Sequence, residues 1–188
     1  MNRKAYILTA LVGLILVLMI PAVQAEILAT GETFPATLLF ASSSQDERSL
    51  GLTGGEGFPV RDIPADAVLI EFFSMYCPHC QADAPDTVTL YELIQTDDEL
   101  YTSLKFIGIG ITNSDYEVEV FREEYEIPFP LFSDKEGVFI EDVGVRRTPT
   151  YMLVTRDESG DMVVVFTQVG KIDDPAEFFE VLREHLFE

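Results

Sequence analysis

Residues 71–80 read Glu71-Phe72-Phe73-Ser74-Met75-Tyr76-Cys77-Pro78-His79-Cys80, and this stretch holds both cysteines of a 188-residue chain. Upstream, Ala67–Ser74 is a nearly continuous apolar run, the pattern of a central strand covered on both faces. Downstream, Pro78 to about Leu104 reads as one helix, with Val88, Tyr91, Ile94 and Tyr101 at helical spacings. A strand followed at once by a helix puts Cys77 at the N-cap and Pro78 at the first helical position, where its missing N–H costs nothing. The Cys77 sulfur then faces free backbone N–H groups and the positive end of the helix dipole, which favour thiolate over thiol. Cys80 falls one turn later, placed to attack a mixed disulfide formed at Cys77.

Glu71 is the second unusual feature. Alternation puts Val68, Ile70 and Phe72 on one strand face and Leu69, Glu71 and Phe73 on the other. Glu71 thus shares a face with large apolar residues, where desolvation raises its pKa and equips it to relay protons near neutral pH. The alternative is an edge-strand glutamate that reaches solvent. His79 also has two readings. It is either an exposed imidazole, or a cation that stabilises the Cys77 thiolate and makes the disulfide more oxidising.

A bridge across C-x-x-C closes almost no loop and removes little unfolded-state entropy, so the pair points to chemistry rather than to holding the fold together. Structural zinc usually takes four protein ligands, and beyond the cysteines only His79 and His185 are on offer. Copper(I) held by Cys77, Cys80 and one histidine suits thiolate ligands, and a copper-binding or copper-delivery module stands as the alternative function.

Further out, Asn2-Arg3-Lys4 is a basic head, Ala5 to Met19 is apolar apart from Thr9, and Val23-Gln24-Ala25 offers small residues ahead of Glu26. Residues 1–25 are expected to be a secretory signal peptide, with an uncleaved membrane anchor as the alternative. Residues 26–188 are expected to form one domain, in which 26–66 is an extension with short strands. The chain carries 33 acidic against 12 basic residues, a net charge of −21. Such a surface repels phosphate backbones and anionic lipid headgroups, which argues against nucleic acid as a partner.

Residues 42–66 read as turns after a short strand near Leu38-Leu39-Phe40. Lys105–Thr112 is a second buried strand, and Asp115–Glu124 is a helix capped by Ser114. Pro128–Phe132 leads into an edge-like segment. Tyr151–Thr155 and Met162–Thr167 are strands joined by a turn over Asp157–Asp161. A last helix spans Pro175–Phe187, with Phe178, Phe179, Leu182 and Leu186 facing inward. This order implies an α/β layer plan, with parallel crossovers first and an antiparallel hairpin last.

The Cys77-Pro78-His79-Cys80 motif preceded by Glu71-Phe72-Phe73 resembles the thioredoxin superfamily, and locally the DsbA-type disulfide oxidoreductases. Residues 31–170 are similar to the exported TlpA/ResA-like thioredoxins: Gly31-Glu32-Thr33-Phe34-Pro35, then Phe129-Pro130-Leu131-Phe132-Ser133-Asp134, then Gly144-Val145 leading to Thr148-Pro149. The resemblance implies a thioredoxin-like fold, a central mixed sheet flanked by helices. It also implies protein thiol–disulfide exchange through a redox-active Cys77–Cys80 disulfide, with no other cofactor. Glu71 matches the superfamily's buried acidic residue, and Pro85 matches a proline that kinks the helix. Pro149 matches a cis-proline facing the dithiol. Thr148 and Pro149, with Tyr76 and Pro78 beside Cys77, are the implied substrate-binding set. Asp83 stands where that group often carries a glutamate, so it has either a second acid/base role or the role of a solvated helix residue. Exported protein thiols or disulfides are the implied substrates, together with a membrane redox partner; oligomeric state is left open. TlpA-like proteins are typically reductants, whereas C-P-H-C is an oxidant's motif. The threonine-containing loop that peroxiredoxins place ahead of their cysteine is missing before Cys77.

Overall fold

Seven consecutive residues, Ala67–Phe73, are buried without a break and form a strand paired on both sides. The structure, a computed structural model, describes residues 26–40, 44–52 and 57–187. The expected signal segment, residues 1–25, lies outside them. In chain order the elements are β1 (Leu38–Leu39), α1 (Ser44–Ser49), β2 (Phe58–Pro59), β3 (Ala67–Phe73), α2 (Pro78–Thr96), α3 (Asp98–Ser103) and β4 (Leu104–Ile111). Then follow α4 (Asp115–Tyr125), β5 (Leu131–Asp134), α5 (Val138–Asp142), β6 (Thr150–Arg156), β7 (Met162–Val169) and α6 (Pro175–Phe187).

The main sheet runs β5-β4-β3-β6-β7. Parallel pairs join β3 to β4 and β4 to β5, while β6 runs antiparallel to both β3 and β7. This is the mixed sheet that the element order implies. Strand alternation divides the core into two. Val68, Ile70 and Phe72 pack on one face with Phe34, Leu39, Leu50, Val60 and Phe139. Leu69 and Phe73 pack on the other with Cys80, Leu90, Leu100, Phe121, Phe178 and Leu182 from the helices. The first of these cores draws much of its cover from residues 26–66, so the extension acts as a layer of the fold. Its backbone follows β7, with the Gly31 N–H bonded to the Val164 carbonyl at 2.8 Å and the Phe34 N–H bonded to the Met162 carbonyl at 2.7 Å.

Two expectations need correction, and one helix had no expectation attached to it. Residues 42–66 contain the helix α1, which turn-rich composition hides. Its Asp46 is buried against Arg122 of α4 at 3.2 Å, and the adjoining Leu50 is buried. The single helix from Pro78 to Leu104 is in fact two. Asp97 leaves the helical region and its carboxylate accepts the N–H groups of Glu99 and Leu100, at 3.1 and 2.9 Å, starting α3. Asp competes with the helix ladder in this way wherever its short side chain can reach the backbone. The break resets the phase, so Tyr101 is exposed and Leu100 takes the inward place. The segment Val138–Asp142, missed by periodicity, is a short helix whose first N–H groups are accepted by the buried Asp134 carboxylate. The last helix matches its expected bounds, although only Phe178 and Leu182 of the four expected residues are fully buried. Among the described residues no helix is long and apolar enough to cross a membrane.

Gly144 shows how tightly the extension is seated. Its φ is +78°, and a Cβ there would lie 2.2 Å from the Glu26 carbonyl oxygen, a backbone atom with little room to give. Gly144→Ala is therefore expected to cost about 2 kcal/mol or more, from left-handed strain plus displacement of the extension. Urea unfolding of the two proteins side by side measures this; equal midpoints would show that the extension is not held there.

Candidate active site

The end of β3 delivers the chain into the reactive loop, and several bonds fix that loop. The Met75 N–H donates to Asn113 Oδ1 at 2.8 Å, Gln81 Nε2 donates to the Met75 carbonyl at 2.7 Å, and the Cys77 N–H donates to the Ser74 carbonyl at 3.0 Å. Asn113 is fully buried just beyond β4. Tyr76 is 65% exposed, and its hydroxyl donates to Glu117, the residue that also closes the capping box of α4 with Ser114. Neither Asn113 nor Glu117 stood out in the sequence. The available signal was parallel pairing, which sets the C-terminal ends of β3 and β4 side by side, where sites form on such sheets.

Cys77 is the N-cap of α2 and Pro78 opens the helix, as the spacing predicts. Both cysteines are present as free thiols, Cys77 half-buried and Cys80 fully buried. The two thiols are pushed in opposite directions. Burial works against ionisation of Cys77, but hydrogen bonds from the Thr148 side chain, the Cys80 backbone and thiol, and the His79 backbone outweigh it and pull the thiol below its ordinary value. At Cys80 burial dominates and drives the thiol far up, with Glu71 adding to the push. A turn of helix thus separates a thiol eased toward ionisation from one held back from it.

Glu71 is 2% exposed, in the middle of a central strand, which removes the edge-strand alternative. Burial, reinforced by the charge of Asp83, raises its pKa from 4.5 to about 8. Asp83 has no exposed surface, so it is not a solvated helix residue. Its carboxylate accepts the Tyr151 hydroxyl at 2.7 Å and the Ile172 N–H at 2.9 Å, and burial raises its pKa to about 6 against these bonds. Tyr151 stands opposite Glu71 in the β3–β6 register and also bonds the Thr87 hydroxyl at 2.7 Å. Beneath Cys80 the fold therefore assembles two carboxyl groups, a tyrosine and a threonine from β3, α2 and β6. Tyr151 and Thr87 were not identified in the sequence as site residues, because only the antiparallel β6 register brings Tyr151 there, and Thr87 of α2 matters through its bond to that tyrosine.

Across from Cys77, the Thr148–Pro149 peptide is cis, and the Cys77 thiol donates to the Thr148 carbonyl at 3.2 Å. Pro85 lies inside α2 without ending it. Pro78 and the His79 side chain are exposed, and His79 faces a cleft shared with Arg147, Pro149 and Lys171. The His79 and Cys80 backbone N–H groups at the head of α2 favour the ionised Cys77 sulfur without closing a cap hydrogen bond to it. His185 sits on α6 against Phe166. Among the described residues no group of three or more His, Cys, Asp or Glu side chains is arranged to hold a metal ion.

Comparison with known proteins follows the same line. The profile of the AhpC/TSA family matches residues 45–169. The thiol-disulfide oxidoreductase ResA of Halalkalibacterium halodurans is 26% identical over 129 residues, covering 69% of each chain. The ResA of Geobacillus thermodenitrificans is 22% identical over 169 residues, covering 90% of this chain and 92% of its own. Among solved structures, the thioredoxin domain of a thiol-disulfide oxidoreductase from Bacteroides vulgatus superposes with a TM-score of 0.62 at 16% identity, over 84% of this chain and 97% of its own. With two thirds of its length matched and a C-x-x-C dithiol at the head of α2 on a thioredoxin-like sheet, the chain belongs to the AhpC/TSA family.

Proposed function

We propose that this thiol–disulfide oxidoreductase works outside the cytoplasm and exchanges disulfides with exported proteins through Cys77 and Cys80. The placement of the Cys77 sulfur carries this reading. It sits at the open N-terminus of α2, 3.2 Å from the Thr148 carbonyl, with Cys80 buried one turn behind. The basic head and apolar run before Glu26 support export, and the ResA relatives support the reaction class.

In the reducing direction the Cys77 thiolate attacks one sulfur of a substrate disulfide. The substrate S–S bond breaks, a Cys77–substrate disulfide forms, and the departing substrate sulfur leaves as a thiolate that takes up a proton. Cys80 then passes its proton to the Glu71 carboxylate and attacks the Cys77 sulfur. The second substrate thiolate leaves, the protein ends as the Cys77–Cys80 disulfide, and two electrons have passed to the substrate. In the oxidising direction each step reverses, and protonated Glu71 returns its proton to Cys80. A group with a pKa of about 8 is suited to both roles near neutral pH. Asp83 holds Tyr151 and the Ile172 turn against this buried group, and its own raised pKa fits it as a second acid/base residue. The Thr148 backbone and Pro149, flanked by Tyr76 and Pro78, receive the substrate chain as a short added strand. The His79 side chain lines the rim of the same cleft, within the motif that carries the thiolate.

Alkylation tests the nucleophile. In the folded, reduced protein, iodoacetamide is expected to modify Cys77 with a pH midpoint below the ordinary thiol value of about 8.5, and to leave Cys80 unmodified until denaturant is added. An ordinary midpoint at Cys77 would remove the driving force of the reaction. Equilibration in graded thiol buffers then reads the direction, with a potential near about −120 mV marking an oxidant and one near about −270 mV a reductant.

A further inference from the structure

The cleft that opens beside Cys77 has a charge opposite to that of the molecule. Its volume is 460 Å³, and it is walled by His79, Arg147, Pro149, Lys171 and a single carboxylate, Asp173. A second cleft of 540 Å³ shares Arg147 with it and adds Arg146, with Glu26 on its far side. The chain as a whole carries −21. Other cations are engaged away from the cleft: Arg122 with Asp46, Arg183 with Asp97, and Arg156 with the carbonyls of Ile63 and Gly160.

Hydrogen bonds hold the two cleft cations in place from the backbone. The Lys171 carbonyl accepts Gln168 Nε2 at 2.9 Å. On either side of Lys171, the Gly170 N–H donates to the Pro149 carbonyl at 2.9 Å and the Ile172 N–H to buried Asp83 at 2.9 Å. The Arg147 carbonyl accepts the Thr150 hydroxyl at 2.8 Å. The turn that carries Lys171 is thereby tied to both the Pro149 loop and the buried carboxyl group. On the opposite side of β3 in the sheet order, Glu117 in the first turn of α4 accepts the Tyr76 hydroxyl and puts a carboxylate on that flank of the reactive loop. An extended chain lying across Cys77 thus meets positive charge on the Pro149 side and negative charge on the α4 side.

From this asymmetry we infer that the cleft selects substrate segments with acidic residues next to the reactive cysteine, and that Arg147 and Lys171 read those residues. This specificity rests on the exchange function proposed above and names its substrate class. Local positive charge in a cleft governs the approach and alignment of an acidic segment even on an acidic protein, because a fixed near charge outweighs distant ones screened by salt.

Three short peptides test it, each with one cysteine blocked as a neutral mixed disulfide with 2-mercaptoethanol and flanked by Asp, Ser or Lys. With the reduced full-length protein at low salt, the Asp peptide is expected to exchange about fivefold to tenfold faster than the Lys peptide, the scale of two exposed ion pairs. The difference should collapse at about 1 M salt, where screening lengths fall to about 3 Å. The double variant Arg147→Glu, Lys171→Glu should reverse the order, whereas Lys105→Glu, at the far end of β4, should keep it. Equal rates, or a faster Lys peptide with the wild-type protein, would overturn the inference while leaving the exchange function standing. Failure to exchange with any of the three would overturn both.

Discussion

Cys77→Ser is expected to reduce disulfide exchange to the uncatalysed background, while Cys80→Ser accumulates a covalent protein–substrate adduct. The asymmetry follows from burial. Cys77 is half-buried at the mouth of the site and can reach an external disulfide, whereas Cys80 has no exposed surface and meets only what is already bonded to Cys77. Without Cys80 the mixed disulfide has no internal attacker, so it persists until an external thiol intervenes. Non-reducing electrophoresis and intact mass spectrometry of the reduced variants with a disulfide-bonded exported protein read both outcomes. Turnover by Cys77→Ser, or a Cys80→Ser protein that never traps substrate, would reverse or remove these roles.

Glu71→Gln should change both stability and rate. Folding raises the Glu71 pKa from 4.5 to about 8. Below pH 4.5 the folded and unfolded chains both hold the proton, and the group contributes no pH dependence. Between 4.5 and 8 the unfolded chain ionises while the folded one keeps its proton, so stability falls as pH rises; above 8 the loss is complete. Asp83 titrates in the folded protein at about 6, so above that pH the falling contribution comes from Glu71, and comparison with Glu71→Gln isolates it from the other groups. The wild-type protein is expected to lose about 2 kcal/mol between pH 6 and pH 8 from this group, at about 1.4 kcal/mol per unit until the folded group itself begins to ionise. Glu71→Gln should lack that loss, and its resolution of mixed disulfides should slow by about 10²-fold, the usual scale of a removed proton-transfer group. Urea unfolding at the two pH values, paired with single-turnover resolution rates, measures both. Parallel pH slopes in the two proteins would place Glu71 in contact with solvent, contrary to its position in the sheet.

Much of this site was legible before any coordinates. The order strand, Cys77, Pro78 and helix set the N-cap geometry, because both elements announce themselves through periodicity and a proline at the first helical position has one favourable use. Alternation along Ala67–Phe73 put Glu71 on the face of Leu69 and Phe73, and the pairing of β3 on both sides then removed the edge-strand alternative. Pattern failed where a side chain overruled it. Asp97 divided the expected long helix by capping the next one, and Asp46 found Arg122 from 76 residues away and so folded a segment that looks like turns.

The local sequence by itself determined that Cys77 heads α2 with Cys80 one turn behind it and that Glu71 shares a strand face with Leu69 and Phe73, because each depends on residues within one strand–helix junction. Only the tertiary structure decided what surrounds them. Tyr151, Asn113 and the Ile172 N–H come from separate strands and turns, and the Arg147–Lys171 wall joins two loops more than twenty residues apart. The physical reason is that sheet register and loop hydrogen bonds are set by the packing of the whole core, so contacts across them leave no periodic trace in the chain.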